Sequence, residues 1–322
     1  MNTSKGYRKM NRRRGIGLAL SGAFALWALG VAGIAQSAPS LNLSPDQHDR
    51  PRVTPDPAAI KLIPENFRFV EKGVLTVGIS VGVPPISVYA TDAKTIVGAD
   101  PDLAQLVADE LGLKLKLVPL AWADWPLAVA SGKVDAVLSN VTVTEARKQK
   151  FDFSTYRRDV LGFYVEQNSA IKQIREPKDI AGLRIIGDSG TNQEKILLAW
   201  DKENVARGLK PIHVLYYDDP SVRALALASG RADAIFSVNA VLAYQVSQGV
   251  KIRQVGTVSG GWPHTAEVAV TTRKDGGLAA PVTYAINDLI QNGKYRQVLS
   301  RWNLDSESIT KASTNPPGLP DL

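Results

Sequence analysis

One nine-residue segment occurs twice in this chain. Ser131-Gly132-Lys133-Val134-Asp135-Ala136-Val137-Leu138-Ser139 returns, 98 residues later, as Ser229-Gly230-Arg231-Ala232-Asp233-Ala234-Ile235-Phe236-Ser237. In each copy a Gly closes a helical stretch, a short apolar run suited to a buried strand follows, and polar residues end it. Such a joint used twice predicts two similar α/β lobes. A common helix–Gly–strand joint reused by chance is the alternative. In open α/β sheets, ligands bind beyond the carboxyl ends of the strands. Both copies place a serine there, Ser139 and Ser237.

The surrounding chain alternates in the same way. Leu75-Thr76-Val77-Gly78-Ile79 reads as a strand. Asp100-Pro101-Asp102 opens a helix, with Asp100 at its N-cap, Leu103, Leu106, Val107 and Leu111 on its apolar face, and Gly112 at its end. Residues 113–118 alternate as a strand that Pro119 closes, and a short helix runs from Trp125 to Ala130. Near the end, Val282, Ile286, Leu289 and Ile290, then Tyr295, Val298 and Trp302, keep a helical apolar spacing that would pack on the first lobe. The expected fold class is α/β, with two lobes, each an open mostly parallel sheet flanked by helices.

Charge separates a leader from this body. Lys5, Arg8, Lys9, Arg12, Arg13 and Arg14 precede residue 15, and no charged residue lies between Gly15 and Pro45. The formal net charge of +7 is therefore a property of the leader, because the remaining 32 basic and 31 acidic residues leave +1. A near-neutral body removes the basic face that nucleic-acid binding needs. A basic start, an apolar stretch over residues 16–35 and Ala35-Gln36-Ser37 form the pattern of a secretory signal peptide, cleaved before Ala38. An uncleaved anchor is the competing reading. Six Pro between residues 39 and 64 predict an extended tether over 38–69. The predicted folded parts are lobe 1 (70–163 plus 267–304), lobe 2 (164–266) and an irregular tail (305–322), with hinge strands Leu161–Gln167 and Glu267–Thr271.

The chain has no Cys, which excludes disulfides, thiolate metal sites and a thiol nucleophile. Its three His are scattered without metal-ligand spacing, so neither metal nor cofactor is expected. Two protease- or esterase-like strings are decoys. Gly78-Ile79-Ser80-Val81-Gly82 matches a nucleophile elbow but is followed by Val83-Pro84-Pro85, where the required helix cannot start. Gly187-Asp188-Ser189-Gly190 lacks the partner His, since the one earlier His, His48, lies in the Pro-rich stretch. The second string has another reading. A strand over 183–186, a Gly loop and Thr191-Asn192-Gln193-Glu194 present a helix N-terminus, which serves either an anion or plain capping. In the first lobe, Thr144 as N-cap puts Arg147 in a first helical turn, against the helix dipole. That placement makes sense if Arg147 faces a carboxylate. A salt bridge to an Asp, or simple solvation, is the other reading.

Four segments now stand in order: Gly98-Ala99-Asp100-Pro101-Asp102-Leu103-Ala104, residues 131–140, Thr142-Val143-Thr144-Glu145-Ala146-Arg147, and Phe151-Asp152-Phe153-Ser154. Together, over about Val74 to Leu304, the chain resembles the periplasmic solute-binding proteins of family 3, which serve polar amino-acid ABC transporters. The resemblance implies two lobes closing on one small-molecule ligand, a monomer in the periplasm, and an ABC permease in the inner membrane as partner. It makes Arg147 the carboxylate clamp, lines the first lobe's side with Ser139, Asn140 and Thr142, and the second's with Thr191 and Asn192. Trp125, Asn239 and Asp188 complete the candidate set. Two positions depart from the family. Val83 stands where an aromatic wall is usual, and Val238 where an Asp usually holds the α-ammonium. The ligand's amine is then moved, substituted or absent, or Asp188 meets it, or a water network does. A dehydratase-like enzyme on the same scaffold is the rival reading, with Glu194, Glu145 and Asp188 as the acids near the cleft.

Overall fold

The computed structural model describes residues 41–217 and 219–320. The leader read as a signal peptide, residues 1–37, lies outside the described residues. The first part of the chain forms α1 (Pro57–Lys61), β1 (Val74–Ile79), the hairpin β2 (Val88–Tyr89) and β3 (Ile96–Val97), α2 (Ala99–Glu110), β4 (Lys114–Pro119), α3 (Trp125–Ala130), β5 (Ala136–Val137), α4 (Glu145–Lys148) and β6 (Phe151–Arg158). The middle part forms β7 (Val160–Glu166), β8 (Arg184–Gly187), α5 (Asn192–Ala206), β9 (His213–Tyr216), α6 (Pro220–Ala228), β10 (Ala234–Val238), α7 (Asn239–Ser247) and β11 (Ile252–Ser259). The last part adds β12 (Glu267–Arg273), α8 (Ala279–Gln291) and α9 (Lys294–Arg301).

Two five-stranded sheets result, ordered β4-β1-β5-β12-β6 and β9-β8-β10-β7-β11. Strand for strand the two have the same directions: the first three are parallel, and the last two pair antiparallel. The expected mostly parallel sheets are found, with four of the five strands in each running one way and a single strand, β12 or β7, opposed to its neighbours. Parallel neighbours need a crossover connection, whereas β7 and β12 enter directly from the other sheet, at Asp159 and across residues 260–266. The repeated segments supply β5 and β10, which hold the same central place. Their shared Asp explains the repeat. The Asp135 N–H donates to the Thr76 carbonyl and its carboxylate accepts the Thr76 N–H, both at 2.8 Å. Asp233 does the same with Arg184, again at 2.8 Å each. Each carboxylate thus satisfies a backbone donor of the neighbouring strand.

The second lobe packs Phe163 between Phe236 and Trp200, with ring centroids 4.0 and 5.6 Å apart. The first lobe is wrapped by both ends of the chain. The Pro-rich stretch, expected to be a free tether, is instead a strap. Leu41, Leu43, Val53, Ile63, Phe67 and Phe69 pack against the core. Arg50 and Arg52 pair with Asp102 (2.6 Å) and Asp109 (2.5 Å) of α2. Outside the short α1, which Pro57 opens, the segment is irregular, and its apolar residues cover the first-lobe core. The tail is irregular, as expected, yet bound. Glu307 is buried against Arg157 of β6, Ile309 and Ala312 join the core, and Thr314 and Leu319 bridge to Ser154 and Thr144.

The start of α2 also differs from expectation. Its cap is Gly98 (φ 143°), where a Cβ would come within 2.3 Å of the Ile86 carbonyl oxygen. This leaves Asp100 inside the helix, buried, accepting the Tyr156 hydroxyl at 2.9 Å. Burial lifts its carboxyl to about 6.

At the other end of α2, Glu110 is 2% exposed. Burial, with the negative charges of Asp288 and Asp56 beside it, lifts its carboxyl from 4.5 to about 7. The unfolded chain releases this proton before the folded chain does, so stability falls as pH rises from the unfolded value through about 7. Glu110→Gln should flatten the dependence of Tm on pH across that window. Parallel Tm–pH curves for the two proteins would refute this assignment.

Candidate ligand-binding site

A cavity of about 670 Å³ lies between the two sheets, beyond the carboxyl ends of β1, β5, β8 and β10. Ser80, Val83, Trp122, Ser139, Asn140, Thr142 and Arg147 line its first-lobe wall. Asp188, Thr191, Asn192, Tyr216, Tyr217, Arg223 and Ser237 form the polar part of the opposite wall.

Arg147 is placed by its own helix cap. The Thr144 hydroxyl accepts the Arg147 N–H (3.1 Å), which fixes the first turn of α4. The Arg147 Nη1 then donates back to the Thr142 carbonyl (2.9 Å), and the guanidinium lies 5.9 Å from the Trp122 ring and 5.6 Å from the Trp125 ring. Among the described residues no carboxylate lies within ion-pair distance of it. Burial lowers its pKa to about 10, with Asp159 pulling the other way, so it stays charged at neutral pH. A desolvated guanidinium with free donors facing a cavity favours a bound anion.

The neighbouring candidates turn largely inward. Ser139 Oγ accepts the Ser80 N–H (2.8 Å) and donates to the Leu138 carbonyl (2.7 Å), joining two strand ends. Thr142 Oγ1 donates to Asp159 (2.6 Å), a buried carboxylate whose pKa burial raises. Asn140, at φ 53°, accepts from the buried Arg157. These residues shape the wall, and Arg147 carries its charge.

Across the cavity, Thr191 caps α5 by accepting the Glu194 N–H (3.3 Å), and Asn192 donates to the Gly260 carbonyl. Asp188 has a partner at each oxygen: one meets Arg223 Nη2 at 2.5 Å and the other accepts the Ser237 hydroxyl at 2.8 Å.

Two candidates do not line the cavity. Asn239 begins α7 directly after β10, and its Oδ1 accepts from Tyr164 Oη (3.1 Å) and Gln254 Nε2 (2.6 Å). Ser237 and Val238 line the cavity, and the helix that starts at Asn239 carries its side chain away from it. Trp125 is buried against Phe151 at 4.9 Å, and Trp122, in the 3₁₀ turn before α3, supplies the cavity's ring instead.

Sequence reasoning missed Ser80, Trp122, Arg223 and the pair Tyr216 and Tyr217. Arg223 carried a legible signal. It follows the Asp219-Pro220 helix start as Arg147 follows Thr144, a cation early in a helix. Of the acids considered for catalysis, Glu194 accepts from the Gly190 N–H (2.7 Å) and Tyr216 Oη (2.5 Å), and Glu145 pairs with Lys148 (3.0 Å). Neither lines the cavity.

Two α/β sheets, crossed twice by the chain and enclosing a ligand-sized cavity, define a two-lobed solute-binding protein. The chain belongs to the bacterial extracellular solute-binding proteins, family 3, whose sequence profile matches residues 75–305. It is 29% identical over 234 residues to the L-cystine-binding protein TcyJ of Escherichia coli, covering 72% of this chain and 83% of that one. A solved structure of an ancestral arginine-binding protein bound to arginine superimposes with a TM-score of 0.61 at 27% identity, covering 72% of this chain and 98% of that chain. A cyclohexadienyl dehydratase of Pseudomonas aeruginosa is 28% identical over 172 residues, covering 53% of this chain and 61% of that one. Among the described residues no helix is long and apolar enough to cross a membrane, and no cluster of His, Asp or Glu could hold a metal ion.

Proposed function

We propose that this chain is the periplasmic receptor of an ABC importer, binding a small carboxylate-bearing solute, an amino acid or a derivative of one, by closure of its two lobes. The observation that carries this reading is Arg147: a partly buried, charged fork, without a carboxylate partner among the described residues, facing a cavity between two lobes. The solute prefers the closed arrangement, shifts the population toward it, and the closed form docks as a monomer on an inner-membrane permease. The binding names of the two receptor relatives support the solute class. Release into the periplasm follows cleavage before Ala38.

The test begins with protein recovered from the periplasmic fraction, whose first residue should be Ala38 or a near neighbour. Intact Met1 in the membrane fraction would sink the proposed processing. A thermal-shift screen of amino acids, substituted amino acids and organic acids should then find a stabilising ligand, since one at ~100 times its Kd adds ~2.7 kcal/mol. Chemical turnover of that ligand would place the protein with its dehydratase relative instead.

A further inference from the structure

The cavity is chemically lopsided. Among the described residues that line it, Asp188 is the one acid, and its charge is already paired with Arg223 and hydrogen-bonded by Ser237. Arg223 is held in turn, with its Nε donating to the Tyr217 carbonyl at 2.6 Å. That pair cancels itself and leaves Arg147 as the uncompensated charge. A ligand ammonium would lose its hydration without gaining a free carboxylate, which is costly.

Beyond this polar rim the cavity runs on into the second lobe, under α6 and α7. Its lining there is mainly Leu227, Ile235, Val241, Leu242, Val250 and Ile252, with Gln245 as a polar side chain among them. A volume of about 670 Å³ sits mid-range among pockets that hold drug-sized ligands, ~300–1,000 Å³. Apolar walls of this kind favour hydrocarbon over water.

We propose that the ligand is an amphiphilic monocarboxylate: its carboxylate sits on Arg147, its alkyl or aryl body fills the second-lobe pocket, and it presents no charged amine. This rests on Arg147 being the anion anchor, and the experiment separates the two claims. Calorimetry on the mature chain compares straight-chain monocarboxylates of increasing length, and 3-phenylpropanoate against L-phenylalanine. Affinity should rise about fourfold per added methylene until the pocket is full. The phenylpropanoate should bind at least tenfold tighter than L-phenylalanine.

Val241→Trp, which fills the pocket from a partly exposed position on α7, should flatten the series. The wild-type series decides the matter if that variant does not fold. Arg147→Ala should weaken every member. A flat wild-type series that still depends on Arg147 overturns the apolar body and leaves the anchor standing. L-Phenylalanine binding as well as phenylpropanoate overturns the missing amine. A rising series indifferent to Arg147→Ala overturns the anchor, and the proposal with it.

Discussion

Arg147→Ala should abolish most ligand binding while leaving the fold intact. Truncating one member of a desolvated charge pair costs ~2–5 kcal/mol, or about 30- to 4,000-fold in affinity. Among the described residues the side chain makes one hydrogen bond, to the Thr142 carbonyl, and lies over two indole rings. Losing these costs little beside losing the ligand's carboxylate. Titration calorimetry with a ligand found by the thermal screen, together with a melt of the empty protein, checks both halves. An affinity within about threefold of wild type would mean that Arg147 is no clamp.

Glu307→Ala should lower stability by about 3–5 kcal/mol, the cost of leaving a buried charge without its partner. At ~2–4 °C per kcal/mol for a chain of this size class, Tm should fall by about 10 °C. The charge left behind is Arg157, 1% exposed, whose other hydrogen-bond partner is Asn140 on the cavity wall. Asp100 and Asp159 still pull on it electrostatically, but neither gives it a hydrogen bond. The same substitution should therefore loosen Asn140 and weaken ligand binding. A fall in Tm below about 2 °C would show that the Glu307–Arg157 pair does not hold the tail to the first lobe.

The two-lobed fold was legible because the repeat is mechanical. Asp135 and Asp233 each tie the start of one strand to the strand beside it, and that job fixes the residue type twice. Arg147 was legible for the opposite reason, as a residue that its own helix disfavours. The strap and the tail were not legible. Their partners lie far away in sequence: Arg52 meets Asp109, and Glu307 meets Arg157, and such pairings leave no local period to read. Asn239 was misplaced because β10 passes into α7 without a loop, and the first turn of that helix sets its side chain on Tyr164 and Gln254. Trp125 was preferred to Trp122 because a three-residue 3₁₀ turn decides which ring faces the cavity, and residues 122–124 give no sign of that turn.

Every strand of the second sheet comes from the unbroken run between Val160 and Ser259, while the first sheet is assembled from pieces on either side of it. The order in which the chain is made therefore bears differently on the two lobes. The second has all its strands once Ser259 has emerged. The first must wait for β12 to fill the gap between β5 and β6, and then for Glu307 to neutralise Arg157, 150 positions upstream. Until those last residues arrive, a half-built sheet carries a bare guanidinium where its core will be. Residues 305–320 thus act as a latch that completes the lobe, and a chain truncated before them should be the form that proteases find first.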